Sequence, residues 1–405
     1  MTNTDEVLGG EQTNAAPALG RLDARANRRR YDLDWLRVFA FGVLILYHIA
    51  MSYSTWDWFV ASRYSSPAIE PFMGMVNPWR LSLLFFISGV AVRYLSDRMP
   101  VVEFVRRRIV RLLLPLIFGM FVVCMPQTYV SLRYWDEIPP GFLAFYRDWL
   151  GLGQYAFALP QWYHLWYVAY LLAYTLVVAA CLPLLRGAGR VVADPLLAWL
   201  ARGRGWLLLF VPALPFVFYV FALAPYFPWT YSLVGDWDLV ARTFTAFIFG
   251  FMGAGNEHFW RAMDSVLSAS VGVALVLGVL LLVAGLNSFE VGSDTVLLNA
   301  VLILREFYAW SVIAMLFGLA RRFANHPSAI LAYLTAAIFP YFILHQTIIL
   351  VVAYWFTIYE VPLALEVGAM LFATVLGCGI AYEIIRRAGP VRLLFGLPLR
   401  EKRPF

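Results

Sequence analysis

Charge is scarce in this chain. Of 405 residues only 14% are Asp, Glu, Lys or Arg, 62% are hydrophobic, and the mean hydropathy is +0.72. A soluble domain carries roughly 25% charged residues, so that class is excluded and a polytopic membrane protein remains. Cysteine is nearly absent: Cys124, Cys181 and Cys378 lie in apolar segments without paired spacing. That excludes a disulfide framework and gives no metal site, so the three read as packing residues. The first 30 residues lack an apolar core, which argues against a cleaved signal peptide and for a disordered cytoplasmic tail over 1–30. No internal repeat is visible, and the longest connection, about residues 132–162, is too short for a second domain. The expected organisation is one transmembrane domain, 31–390, followed by a cytoplasmic tail, 391–405. The net charge of +6 belongs to arginines that meet anionic lipid, since no separate basic domain exists to hold nucleic acid.

Long apolar runs, by contrast, are plentiful. Segments near 35–54, 79–96, 109–131, 163–185, 205–225, 239–256, 266–286, 296–318, 329–355 and 363–385 are each long enough to cross about 30 Å of hydrocarbon. They predict an all-α bundle of about ten transmembrane helices. Arginines cluster before the first span (Arg21, Arg25, Arg28 to Arg30) and in alternate loops (Arg93 to Arg111, Arg186 to Arg204, Arg261, Arg321, Arg322, Arg386 to Arg403). The other loops carry Asp57, Glu70, Asp136, Glu137, Asp148, Asp236, Asp238, Glu290, Asp294, Glu360 and Glu366, with Arg63, Arg133 and Arg147 against them. The positive-inside rule makes the arginine-rich side cytoplasmic. Only an even number of spans closes that alternation with both termini inside.

Within the first span, DWLRVFAFGVLILYHIAMSY, Arg37 and His48 are eleven residues apart. Eleven helical steps return to within roughly 20° of the same face, about 16 Å along the axis. Ionisable groups at such depth usually face a bundle interior or a wet cavity, so the pair predicts one hydrated passage lined by both. Neutral His48 suits a general base for a hydroxyl, and the Arg37 guanidinium suits phosphates or the orientation of a thioester. The competing account has Arg37 snorkelling to lipid phosphate and His48 packed in the core. Asp34, three residues before Arg37, favours the functional account because it offsets the cost of burying the cation. Arg108 and Arg111 in FVRRRIVRLLLP, also three apart, suit a clamp on the phosphates of coenzyme A, and positive-inside anchoring explains them equally well.

The outer loops are aromatic: Trp56, Trp58, Tyr64, Trp135, Trp149, Trp162, Tyr226, Trp229, Tyr231 and Trp237. Interfacial belts account for most such rings, and a sharper reading stacks some of them on sugar faces. Arg305 and Glu306, adjacent inside the eighth span, are about 100° apart and are not expected to share one pore line. Arg80 and Arg242 begin spans at the outer side, where snorkelling is expected. Arg80 and Arg305 are nonetheless candidate partners for an acyl carboxylate, which needs a cation on leaving water.

In order and spacing, LDWLRVFAFGVLILYH, WRLSLLFFISGVAV, RRIVRLLLP, HLWYVAYLLAY and FPYFILHQTII resemble the acyltransferase 3 superfamily of integral membrane acyltransferases. They look most like its glucan biosynthesis protein C branch, whose members succinylate osmoregulated periplasmic glucans. The resemblance implies that Arg37 and His48 form the family's paired motif and that Arg108 and Arg111 form its RxxR motif near the acyl donor. Phe85, Phe86, Ser88 and Gly89 match FFxSG, read as close helix packing. His164 and Trp166 match an HLW element at the outer mouth, and His345 matches a ninth-span element in which Tyr341 is present and Phe342 replaces a frequent tyrosine.

These readings converge on a multi-pass O-acyltransferase of the bacterial inner membrane. It moves a succinyl group from cytoplasmic acyl-CoA to a periplasmic glucan hydroxyl, with His48 as base or as transient acyl carrier. Acyl-CoA is a co-substrate; no tightly bound cofactor or metal is implied. The expected partners are acyl-CoA, the glucan acceptor and membrane lipid, and a homo-oligomer stays open. The alternatives are an O-acetyltransferase of a surface polysaccharide or small sugar and, from another class, a transporter of an acyl donor or glycan.

Overall fold

The computed structural model describes residues 30–151, 153, 160–283 and 295–399. The N-terminal tail expected over 1–30 lies almost wholly outside the described residues, as does the end of the C-terminal one. Every regular element among the described residues is helical. The principal helices are α1 (Tyr31–Met51), α2 (Glu70–Ser96), α3 (Val101–Phe118), α4 (Met125–Tyr134), α5 (Trp166–Ala180), α6 (Leu214–Ala222), α7 (Trp237–Ala254), α8 (Glu257–Ser265), α9 (Leu267–Val283), α10 (Thr295–Phe323), α11 (Ala329–Ile358) and α12 (Leu363–Ile385). A helical bundle satisfies every backbone polar group within each segment, which hydrocarbon demands.

Eight helical segments are long and apolar enough to cross a membrane, or nine if the α8–α9 pair, bent by 57°, is one span. The sequence predicts about ten, and the two segments that fall away have physical reasons. The expected sixth span is α7, whose apolarity is diluted by Asp238 and Arg242. The expected seventh is α9, described over 17 residues and preceded by the strongly amphipathic α8.

Two features of the packing position the site. Helices α2 and α7 cross at backbone contact: a methyl group on Gly89 would collide with the Phe247 carbonyl, and one on Gly250 with the Phe86 carbonyl. No side chain fits either place, so these glycines set the spacing of the two helices. Between α3 and α4 a π-helical turn, Gly119–Val123, precedes Pro126, whose missing N–H explains the break.

The chain after α12 is not a loose tail over its described part. Phe395 and Leu397 are buried, and Phe395 packs edge-on against Phe118 of α3. Gly396 turns there with φ +67, a conformation that suits glycine, beside the Arg111 carbonyl. The loop after α1 is also anchored: Glu70 accepts hydrogen bonds from the Thr55 amide and hydroxyl at 2.9 and 2.5 Å, and buried Glu366 accepts one from Ser62 at 2.7 Å. These carboxylates, expected in open loops, are interior struts that hold Trp58 and Phe59 over the bundle.

Candidate active site

Helix α1 runs unbroken from Tyr31 to Met51, so Arg37 and His48 lie on one face of it. His48 lines a cavity of about 760 Å³ formed mainly by α1, α2, α5, α7, α10 and the loops above them. Its Nδ1 lies 3.0 Å from Nε2 of His345, and the two rings are inclined by only 5° with centroids 5.1 Å apart. Those distances describe imidazoles meeting edge to edge in one plane.

The proton positions follow from the next contact. Nδ1 of His345 lies 2.8 Å from the Phe342 carbonyl oxygen, which can only accept. Neutral His345 therefore carries its proton on Nδ1 and offers Nε2 as a lone pair. His48 must donate to that lone pair from its own Nδ1, and its Nε2 is left unprotonated. The relay from backbone carbonyl through two imidazoles selects the tautomer of His48 whose basic nitrogen is not engaged with His345.

His164 joins them: it is buried, its ring meets His345 edge-on at 5.0 Å, and its Nε2 donates to the Ile343 carbonyl at 3.1 Å. Its Nδ1 is buried without a hydrogen-bond partner. Three of the chain's five histidines thus meet at one point, and the orienting partner of His48 is an imidazole rather than an acid.

Around the mouth stand Trp56, Trp58, Trp162, Trp166, Trp229 and Tyr231, with Trp58 against His48 at 5.6 Å. Half of the ten outer aromatics considered for belts or sugar stacking therefore face this cavity, whereas Trp135, Tyr226 and Trp237 stay exposed. Burial holds the Tyr231 phenol above its ordinary pKa, against the pull of Arg80, so it remains a neutral donor.

On the basic face lies a second cluster. Arg37 is 3.6 Å from Asp34, as the spacing predicts. Arg106 and Arg107 are engaged by Glu103 on the exposed side, while Arg108 is turned inward at 9% exposure with its Nε unpartnered. Arg37, Arg108 and Arg111 lie within electrostatic reach of one another.

The single hydrated passage expected from Arg37 to His48 is not open. None of Arg37, Arg108 and Arg111 is among the described residues that line the His48 cavity. Phe41, one helical turn beyond Arg37, packs on His345 and Phe342, and Tyr167 packs on Phe342 and Phe85. This aromatic layer separates the two clusters. Tyr167 bridges it, lining the cavity while its hydroxyl contacts Ser88 at 2.5 Å within reach of Arg37 and Arg108.

A family model for the acyltransferase domain of the acyltransferase 3 family matches residues 30–383. The chain belongs to that family. It is similar to the glucans biosynthesis protein C of Escherichia coli (strain K12), 29% identical over 107 residues, 26% of this chain and 28% of that protein. The Salmonella paratyphi B protein of the same name is 29% identical over 109 residues, 27% of this chain and 28% of the relative. The chain thus spans little more than a quarter of the length of these curated relatives, and no solved structure matches it.

Against the family's motifs, the structure corrects several expectations. His164 lines the cavity and, buried at its base, joins the histidine cluster. Tyr341 faces α12, its hydroxyl beside Gly379, and it is Phe342 that lines the cavity. In FFxSG, Gly89 is a packing residue as expected, yet Ser88 also binds Tyr167. Arg305 and Glu306 both line the cavity despite their angular offset, because long side chains bend back toward a wide space. Arg242 does not snorkel: it is clasped by Asp238 at 2.9 Å and by Glu306 at 2.6 Å. Arg80 turns inward over the Tyr47 ring at 3.6 Å. The i, i+4 pair Asp238 and Arg242 in an apolar segment was a usable signal for that ion-pair network. Tyr167 and Gln346, which also line the cavity, carry no such signal.

Proposed function

We propose that this protein transfers an acyl group, succinyl in our reading, from acyl-CoA to a hydroxyl of a periplasmic glucan. The basic face is cytoplasmic in this reading, and the His48 cavity opens to the periplasm of a bacterial inner membrane. Arg37, Arg108 and Arg111 hold the donor's phosphates, since guanidinium forks match phosphate oxygens and the three cations lie within electrostatic reach of one another. The slender pantetheine arm covers the ~16 Å to His48 along α1 once the layer of Phe41, Tyr167 and Phe342 parts. The acceptor sugar lies among the tryptophans, whose flat faces suit pyranose rings.

His48 Nε2 removes the proton of the attacking hydroxyl as its oxygen bonds to the thioester carbonyl carbon. Collapse of that adduct expels the coenzyme A thiolate, which takes up a proton, so the ester forms as the thioester breaks. His345 is a positioning residue that keeps His48 in the competent tautomer. The single observation that carries this reading is the chain of contacts from the Phe342 carbonyl through His345 to His48, which leaves a lone pair available on a ring that lines an aromatic cavity.

The test pairs two measurements. Purified protein with succinyl-CoA and neutral glucan should release free thiol and yield glucan heavier by one succinyl group, and His48→Ala at equal expression should do neither. Periplasmic glucans from cells lacking the gene should lose the same substituent. Donor movement across vesicles without thioester cleavage would overturn the reading in favour of a carrier, and an added acetyl mass would replace the donor.

A further inference from the structure

The cavity's charges do not balance. Three guanidiniums, Arg80, Arg242 and Arg305, line it against two carboxylates, Asp238 and Glu306. Both carboxylates are committed to Arg242: Asp238 meets its Nε at 2.9 Å and also accepts from the Trp229 indole at 2.6 Å, and Glu306 meets its Nη1 at 2.6 Å. Asp236 lies behind the wall, held by the Tyr170 hydroxyl and the Tyr231 amide, each at 2.8 Å. Arg80 is different. Its contacts are one neutral oxygen, Asn77 Oδ1 at 3.3 Å, and the face of Tyr47 at 3.6 Å, and its Nε has no hydrogen-bond partner. Among the described residues no carboxylate pairs with it.

A guanidinium that lies over an aromatic ring and pairs with no carboxylate keeps N–H donors for a ligand that enters the cavity. Arg80 and His48 line the same cavity and lie within electrostatic reach of each other, so these donors stand beside the reacting centre. Left without an anion in a largely apolar cavity, such a cation is poorly compensated, and a carboxylate is the ligand that matches its fork. We propose that Arg80 anchors a carboxylate-binding subsite that reads the free acid at the far end of the transferred acyl group and so selects a dicarboxylic monoacyl donor over a neutral one. This rests on the acyl-transfer reading above. The same chemistry also fits a carboxylate borne by the acceptor, and the assay separates the two sources.

The experiment measures kcat/KM for succinyl-CoA and acetyl-CoA with a neutral glucan in wild type, Arg80→Gln and Arg80→Lys. The succinyl-to-acetyl ratio should fall about tenfold or more in Arg80→Gln and be partly retained in Arg80→Lys. A ratio unchanged within about twofold in Arg80→Gln, or equal loss on both donors, overturns the assignment of the subsite to the acyl end. A second arm compares neutral and carboxylated glucan with acetyl-CoA: if the loss in Arg80→Gln appears only with the charged acceptor, the anion site stands and its ligand is the acceptor. An activity-independent readout is thermal stabilisation by monomethyl succinate relative to methyl butyrate. It should be present in wild type and lost in Arg80→Gln even if acyl transfer itself fails, and its absence from wild type would sink the proposal.

Discussion

Each side of the aromatic layer holds three arginines, and the two triplets are built for different ends. On the basic face, Arg37, Arg108 and Arg111 repel one another, and Asp34 pairs with Arg37 at 3.6 Å. In the cavity, Arg242 is clasped by two carboxylates into a rigid strut, and the surplus cation is Arg80, pinned on Tyr47. An under-neutralised cluster suits a polyanion such as the phosphates of coenzyme A. A neutralised network with one remaining charge suits a single small anion and a polar, uncharged acceptor. In the proposed reading, the same residue type divides into donor capture and end-group reading according to where the carboxylates were placed.

Between the two triplets stands His48, and removing it should have the largest effect. His48→Ala is expected to lower kcat by about 10²–10⁴-fold in the thiol-release assay, with donor binding at the basic face unchanged. A His48→Ala enzyme that still turns over at wild-type rate would place the base elsewhere. His345→Ala comes next, because His48 is then free to choose either tautomer: kcat per folded enzyme, with the folded fraction measured by gel filtration, should fall by about 10–10²-fold while KM for acyl-CoA stays put, and the pH profile of kcat should shift, which a smaller folded fraction alone would not give. Arg108→Gln with Arg111→Gln should do the reverse, raising KM for acyl-CoA about tenfold or more with little change in kcat. In wild type that KM should rise with added salt, and in the double variant less so.

Much of this fold was legible because hydrocarbon is an unforgiving solvent: apolar runs had to be helices, and Arg37 and His48 on one helix had to share a face. Asp34 and Arg37 pair at 3.6 Å as i, i+3 spacing requires. The failures have one cause, that sequence spacing reports on a single helix while a cavity is made by several. The edge-to-edge pair of His48 and His345 joins residues 297 positions apart, and the inward turn of Arg242 depends on Glu306, 64 positions away. The barrier between the two arginine triplets is likewise invisible along the chain, since Phe41, Tyr167 and Phe342 come from three different helices. The span count differs where α7 carries Asp238 and Arg242, the charges it presents to the cavity.

The finest test concerns the residue that belongs to both regions. Tyr167 presents its ring to the cavity and its hydroxyl to Ser88 at 2.5 Å, on the side of Arg37 and Arg108. Removing the hydroxyl leaves the layer's packing intact and deletes the short bond to Ser88, worth about 1 kcal/mol, with the long one to the Leu84 carbonyl at 3.5 Å, so Tyr167→Phe should change kcat/KM by about fivefold. Ser88→Ala should do about the same, and the double variant no more than either alone if the two act through one bond. Additive losses in that double-mutant cycle would show two separate roles and would remove Tyr167 as the link between donor capture and the histidine cluster.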